Sequence, residues 1–202
     1  VAAIEELLAR GLLREATAAD GAPLCDITHA ALREAAIDRT SLARRRLLHR
    51  RAAEALRTVP ARSNDLARLA RIAGHERAAG RDREAALAHR EAGDLARSLY
   101  ANREAIDHFE AALTLGHEDP AVLHEALGEL RTRTGDYAGA VASLERAAAT
   151  AAEPGRLAAI ERRLALAHQR RGDHPAAASH LEAALGLLEP GDPVLPRVVA
   201  EQ

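Results

Sequence analysis

The 202-residue chain contains no lysine: all 28 of its basic residues are arginine. That absence removes whole mechanisms, since there is no P-loop lysine to hold phosphates, no Schiff-base amine and no kinase strand lysine. A GC-rich genome spells basic residues this way, and the chemical consequence is the same whatever the cause. Aromatic residues are only 1% of the chain, which leaves almost nothing to stack on the bases of a single strand. There is one cysteine, Cys25, so no disulfide can close within the chain. Long apolar runs are missing too, and no basic, apolar and small-residue pattern opens the sequence, so neither a membrane span nor a signal peptide is expected. Together these point to a reducing cytoplasm, with Cys25 expected as a small buried hydrophobe.

Catalytic signatures are equally scarce. Neither His-Glu-x-x-His nor Cys-x-x-Cys occurs, and His75-Glu76 lacks the second histidine of a zinc motif. No nucleophile, base and acid set stands out, and the acidic residues read as solvated helix faces and caps. The expectation is a chain that is not an enzyme and has no catalytic residue, metal site or cofactor of its own.

What is present is a soluble globular composition, 48% hydrophobic and 29% charged. Its net charge of -2 hides an uneven layout. Residues 1–38 and 91–202 are acidic, whereas 39–90 hold fourteen arginines against five acids. Such a basic block suits a phosphate backbone, but without aromatics it reads better as a face toward an acidic neighbour domain or solvent. The opening at Val1, inside an apolar-periodic helix with no N-cap before it, reads as a piece of a longer protein.

Along the chain, Ile4, Leu7, Leu8 and Leu12 recur at helical spacing, ending near Gly11. Two short extended runs then flank Asp20-Gly21 and Pro23, a hairpin signal. The next helix begins at His29, a lone imidazole at the helix mouth. Helix, hairpin and helix in this order read as the end of a winged-helix module. A further helix, capped by Ser41, has Leu42, Leu47, Leu48, Ala52 and Leu56 as its expected buried stripe. Pro60 and Asn64-Asp65 mark a loop, giving domains at 1–58 and 65–202.

The second region repeats. The pattern Ala-x3-bulky-x2-Ala occurs at Ala105/Phe109/Ala112, Ala140/Leu144/Ala147 and Ala177/Leu181/Ala184. A small residue (Gly93, Gly128, Ala165) stands twelve positions upstream of each. Gly135-Asp136 and Gly172-Asp173 recur in phase as a helix stop followed by a helix start. A weaker half-copy, Ala85/His89/Ala92, implies that the helix over 82–98 serves two successive pairs. Spacings of 35 and 37 residues lie near the tetratricopeptide period of about 34, and "LGELRTRTGDYAGAVASLERAAAT" resembles that repeat along most of its length. The predicted fold is mainly α: a short β-hairpin from a winged helix, then an α-solenoid whose groove receives a protein partner or effector.

The stretch "THAALREAAIDRTSLARRRLLHRRAAEAL" resembles the end of the winged-helix region in bacterial STAND-class regulatory ATPases, among them LuxR-type and antibiotic-regulatory (SARP) activators. Ile27 and Ile37 stand where those proteins carry aromatics. Thr28-His29-Ala30 is similar to the Met-His-Asp motif of their wider relatives, with alanine in place of aspartate. The resemblance implies that His29 is a cofactor-binding residue, sensing the phosphate of ADP or ATP held with Mg in an upstream ATPase domain in cis. It also implies that DNA is met only through a separate domain, that there is no membrane partner, and that copies can associate as homo-oligomers. The alternative is a free-standing adaptor that grips a peptide without nucleotide linkage.

Overall fold

The computed structural model describes residues 2–17, 23–59 and 65–188, and it divides into two units, residues 1–49 and 50–202. The first unit opens with α1 (Ala2–Ala9), which stops before Gly11 at φ +66°. Strands β1 (Leu13–Thr17) and β2 (Pro23–Ile27) pair antiparallel, from Leu13 opposite Ile27 to Thr17 opposite Pro23. The Asp20-Gly21 turn lies outside the described residues. Helix α2 (Ala30–Asp38) follows, with His29 at its N-cap. Thr28 Oγ1 donates to the carbonyls of Gly11 and Leu12 at 2.9 and 3.2 Å, joining the start of α2 to the end of α1.

Two expectations fail in this part of the chain. Cys25 is exposed rather than buried. It sits opposite Glu15, itself exposed, in a two-stranded ladder. The apolar stripe of α3 (Leu42–Thr58) is also rotated from the expected one. Ser41 caps the helix as expected, its Oγ accepting from the Arg44 amide at 3.3 Å. Leu42, Leu47 and Leu48, however, are 57%, 44% and 52% exposed. The covered face runs through Arg45, His49, Ala52, Ala53 and Leu56. Small Ala53, fully buried, lets the backbone come close, and Leu56 packs on Ile72 and Ala73 of α4 (Leu66–Ala78).

The second unit continues as α5 (Asp82–Ser98), α6 (Asn102–Thr114), α7 (Pro120–Thr134), α8 (Tyr137–Ala148), α9 (Pro154–Arg171) and α10 (His174–Gly186). Each helix packs on the next, and α5 packs on both α4 and α6, the double role its half-copy predicts. Most junctions share one device. The residue after the last helical turn takes positive φ at Gly80, Tyr100, Gly116, Gly135 and Gly172. The following amide then bonds back five residues, for example Asp136 N to Arg131 O and Asp173 N to His168 O, both at 2.9 Å. Asp136 and Asp173 next accept from the Gly139 and Ala176 amides, starting α8 and α10. The region from 189 onward, included in the expected second domain, lies outside the described residues.

The repeated alanines and bulky residues form the core. Ala105, Ala112, Ala140, Ala147 and Ala184 are fully buried, as are Leu144 and, at 1% exposure, Phe109. The upstream small residues explain their own spacing: a Cβ added to Gly93 would lie 2.6 Å from the Phe109 ring, and one on Gly128 would run into Leu144. Ala165 and Leu181 meet in the third copy of the same contact. Paired helices thus approach by setting a bulky side chain over a residue with little or none.

Candidate functional site

Helices α5, α7 and α9 occupy equivalent places in successive pairs, and their side chains line a groove within the second unit of about 310 Å³. Its floor is apolar (Phe109, Leu123, Ala126) and its lip carries Val122. The walls are charged. Asp94 is approached by Arg97 at 3.3 Å and Arg90 at 3.6 Å, one helical turn away on either side. Glu125 on α7 takes Arg163 at 2.9 Å and Arg156 at 2.5 Å, both from α9, which locks neighbouring repeats in register. Glu129 pairs with Arg133 at 2.5 Å. The groove therefore presents an apolar strip between rows of arginines and acids that already hold each other, which suits an extended polypeptide with charged side chains of its own.

His29 is exposed, with extended backbone (φ −125°, ψ 132°), and its imidazole makes no capping bond, while its carbonyl accepts from the Leu32 and Arg33 amides. Beside it, Asp26 takes Arg33 at 2.8 Å and Arg14 at 3.1 Å, and these two guanidiniums hold its carboxyl below the usual range. An apolar groove of about 220 Å³ lies in the same unit, lined by Leu7, Leu12, Leu13, Ile27, Leu32 and Ala36. His49, on α3, is half-buried. The two unit-level features, the charged groove and the exposed His29, are each complete within their own unit.

Sequence reasoning missed several residues. Glu76 is 2% exposed and ion-paired to Arg81 at 3.2 Å and Arg57 at 3.7 Å, against the expectation that acids lie on solvated faces. Nothing in the sequence marks it except its place on the inner side of α4. Two histidine pairs also cross between helices, His89 with His108 and His168 with His180. Only the repeat register, which aligns facing positions of paired helices, could have revealed them.

Residues 123–158 match the model of the tetratricopeptide repeat, from the first turn of α7 into α9. This hairpin is similar to a tetratricopeptide repeat. No curated protein sequence matches the chain. Two crystal structures of MamA are similar to it, at 19% and 16% identity and TM-scores of 0.46 and 0.47. The similarity covers 69% and 78% of this chain and 85% and 86% of those chains. BtubC (BKLC) from P. vanneervenii is similar at 17% identity and a TM-score of 0.44, covering 80% of each chain. Among the described residues, no helix is long and apolar enough to cross a membrane.

Proposed function

We propose that the chain is the non-catalytic, partner-binding arm of a STAND-type ATP-dependent transcriptional regulator. The observation that carries the partner-binding half is the groove spanning α5, α7 and α9, an apolar strip walled by paired arginines and acids and built on repeated hairpins. A protein partner or effector lies along that strip, exchanging its own charges with those of the walls. This half of the reading stands with or without nucleotide linkage.

The nucleotide half draws its support from the first unit. Its exposed apolar groove suits further winged-helix elements, and its exposed imidazole, with no capping bond, is free to meet a phosphate. An ATPase domain elsewhere in the full protein holds ATP or ADP with Mg, His29 helps hold the ADP-bound state, and the array shifts the balance when its partner prefers the open state. DNA contact belongs to a separate domain, the site of action is the cytoplasm, and association of copies is compatible with the array.

Calorimetry of this chain with Mg·ATP should give no binding heat, and micromolar binding would contradict the division of labour. In the full-length protein, His29→Ala should speed ADP release and raise basal activity. Unchanged release would remove the sensor role while leaving partner binding in place.

A further inference from the structure

His89 on α5 and His108 on α6 face each other across one helical hairpin, with their Nδ1 atoms 3.1 Å apart. Their ring centroids are 5.3 Å apart and the rings are tilted by 43°. With neutral rings, one Nδ1–H donates to the other Nδ1, so two ring nitrogens converge on one small volume. Each histidine directly precedes a residue lining the charged groove, Arg90 on α5 and Phe109 on α6.

We propose that His89 and His108 form a two-imidazole chelating site for a divalent late transition-metal ion, which ties α5 to α6 behind the groove wall. With metal–nitrogen bonds of about 2.0–2.1 Å, a 3.1 Å separation closes at an angle of about 100°, between square-planar and tetrahedral values. Among the described residues no group of three or more His, Cys, Asp or Glu side chains is gathered as a metal site, so two ligands come from the protein and water supplies the rest.

The surroundings favour neutral rings, and on metal binding the proton of the donating Nδ1 gives way to the tautomer protonated at Nε2, so that both Nδ1 lone pairs are open. Burial lowers both pKa values, and the charges of His108 and Arg77 lower that of His89 further, so the neutral, metal-binding imidazoles persist below the ordinary range. Glu104 and Asp107 flank His108 and offset the repulsion of Arg77 for an incoming cation. The other histidine pair lacks this convergence. His168 and His180 are stacked at 24°, His180 Nδ1 meets Glu161 at 2.6 Å, and His168 Nδ1 lies 3.4 Å from Asp173.

The test is titration of the untagged chain with Cu(II), Ni(II), Zn(II) and Mg(II). One equivalent of Cu(II) should bind most tightly, following the order for imidazole sites, with no Mg(II) binding. His89→Ala and His108→Ala should each lower the Cu(II) affinity at least tenfold, whereas His180→Ala should leave it unchanged. The Cu(II) resonance spectrum of the unaltered chain should show two coordinated imidazole nitrogens, a readout independent of whether the variants fold. Equal affinity in folded His89→Ala and His108→Ala variants, or a spectrum without two imidazole nitrogens, would overturn the proposal.

Discussion

The two units differ less in apolar content than in what they do with it. In the second, Phe109, Ile72, Leu123, Leu127, Leu130 and Leu144 are at most 1% exposed, with Phe109 set against Gly93 and Leu144 against Gly128. In the first, no described residue from 2 to 49 is buried, and Ile4, Leu7, Leu32, Ile37, Leu42, Leu47 and Leu48 are 38–57% exposed. The difference teaches that apolar periodicity by itself does not make a core. A stack of hairpins supplies its own facing surface at every step, whereas a two-stranded ladder with two short helices is too small to bury its own apolar side chains. The second unit holds a core of its own, and among its described residues the first does not.

That contrast can be broken most severely at Phe109. Phe109→Ala should cost about 3–5 kcal/mol in urea unfolding, because the ring fills the space over Gly93 and cannot be replaced by collapse of alanines already in contact. A loss below about 1 kcal/mol would mean that the array is loosely packed. Gly128→Val should cost about 3 kcal/mol by driving a side chain into Leu144, while Gly74→Ala, with nothing within 4 Å of the new methyl, should stabilise by about 0.5–1 kcal/mol. Equal effects at the two glycines would contradict the role of close approach.

Acidification gives a smaller and graded effect. Burial is the main cause holding the His89, His108 and His124 imidazoles below their ordinary value. The unfolded chain therefore takes up protons first. The contribution of these three imidazoles is complete above about pH 6.5 and is lost progressively as pH falls from there toward the lower folded-state values. Unfolding midpoints measured between pH 8 and 5 should show this fall, and the double variant His89→Gln/His108→Gln should flatten it. The smallest effect belongs to the first unit. Leu47→Ser and Leu48→Ser should each change stability by less than about 0.5 kcal/mol, since both side chains are already near half exposed, and a loss of 2 kcal/mol would show them to be core.

The second unit was legible because its constraints are local and repeated. Ala105, Ala140 and Ala177 mark close helix contacts, Gly135 and Gly172 mark left-handed stops, and Asp136 and Asp173 mark the next starts, all at one period. Tyr100 escaped notice because it takes φ 60° at a stop where its neighbours in the series use glycine. In the first unit, the hairpin, the His29 cap and the Ser41 cap were legible for the same local reason. Which face of α3 is covered was not, because Leu42, Leu47 and Leu48 make as good a stripe as the Ala52, Ala53 and Leu56 face, and packing on α4 decides between them. Glu125, Arg156 and Arg163 were hidden because their pairing crosses repeats, and charge alone does not tell a solvated helix face from an interlock.

Hydrogen exchange of the chain by itself tests the central contrast most directly. The account predicts that amides in α5 to α9 are protected as one cooperative block, while those of α1, β1, β2 and α2 exchange at rates close to those of an unfolded chain. Protection of residues 13–38 equal to that of the array would contradict it, because the first unit would then hold a core of its own.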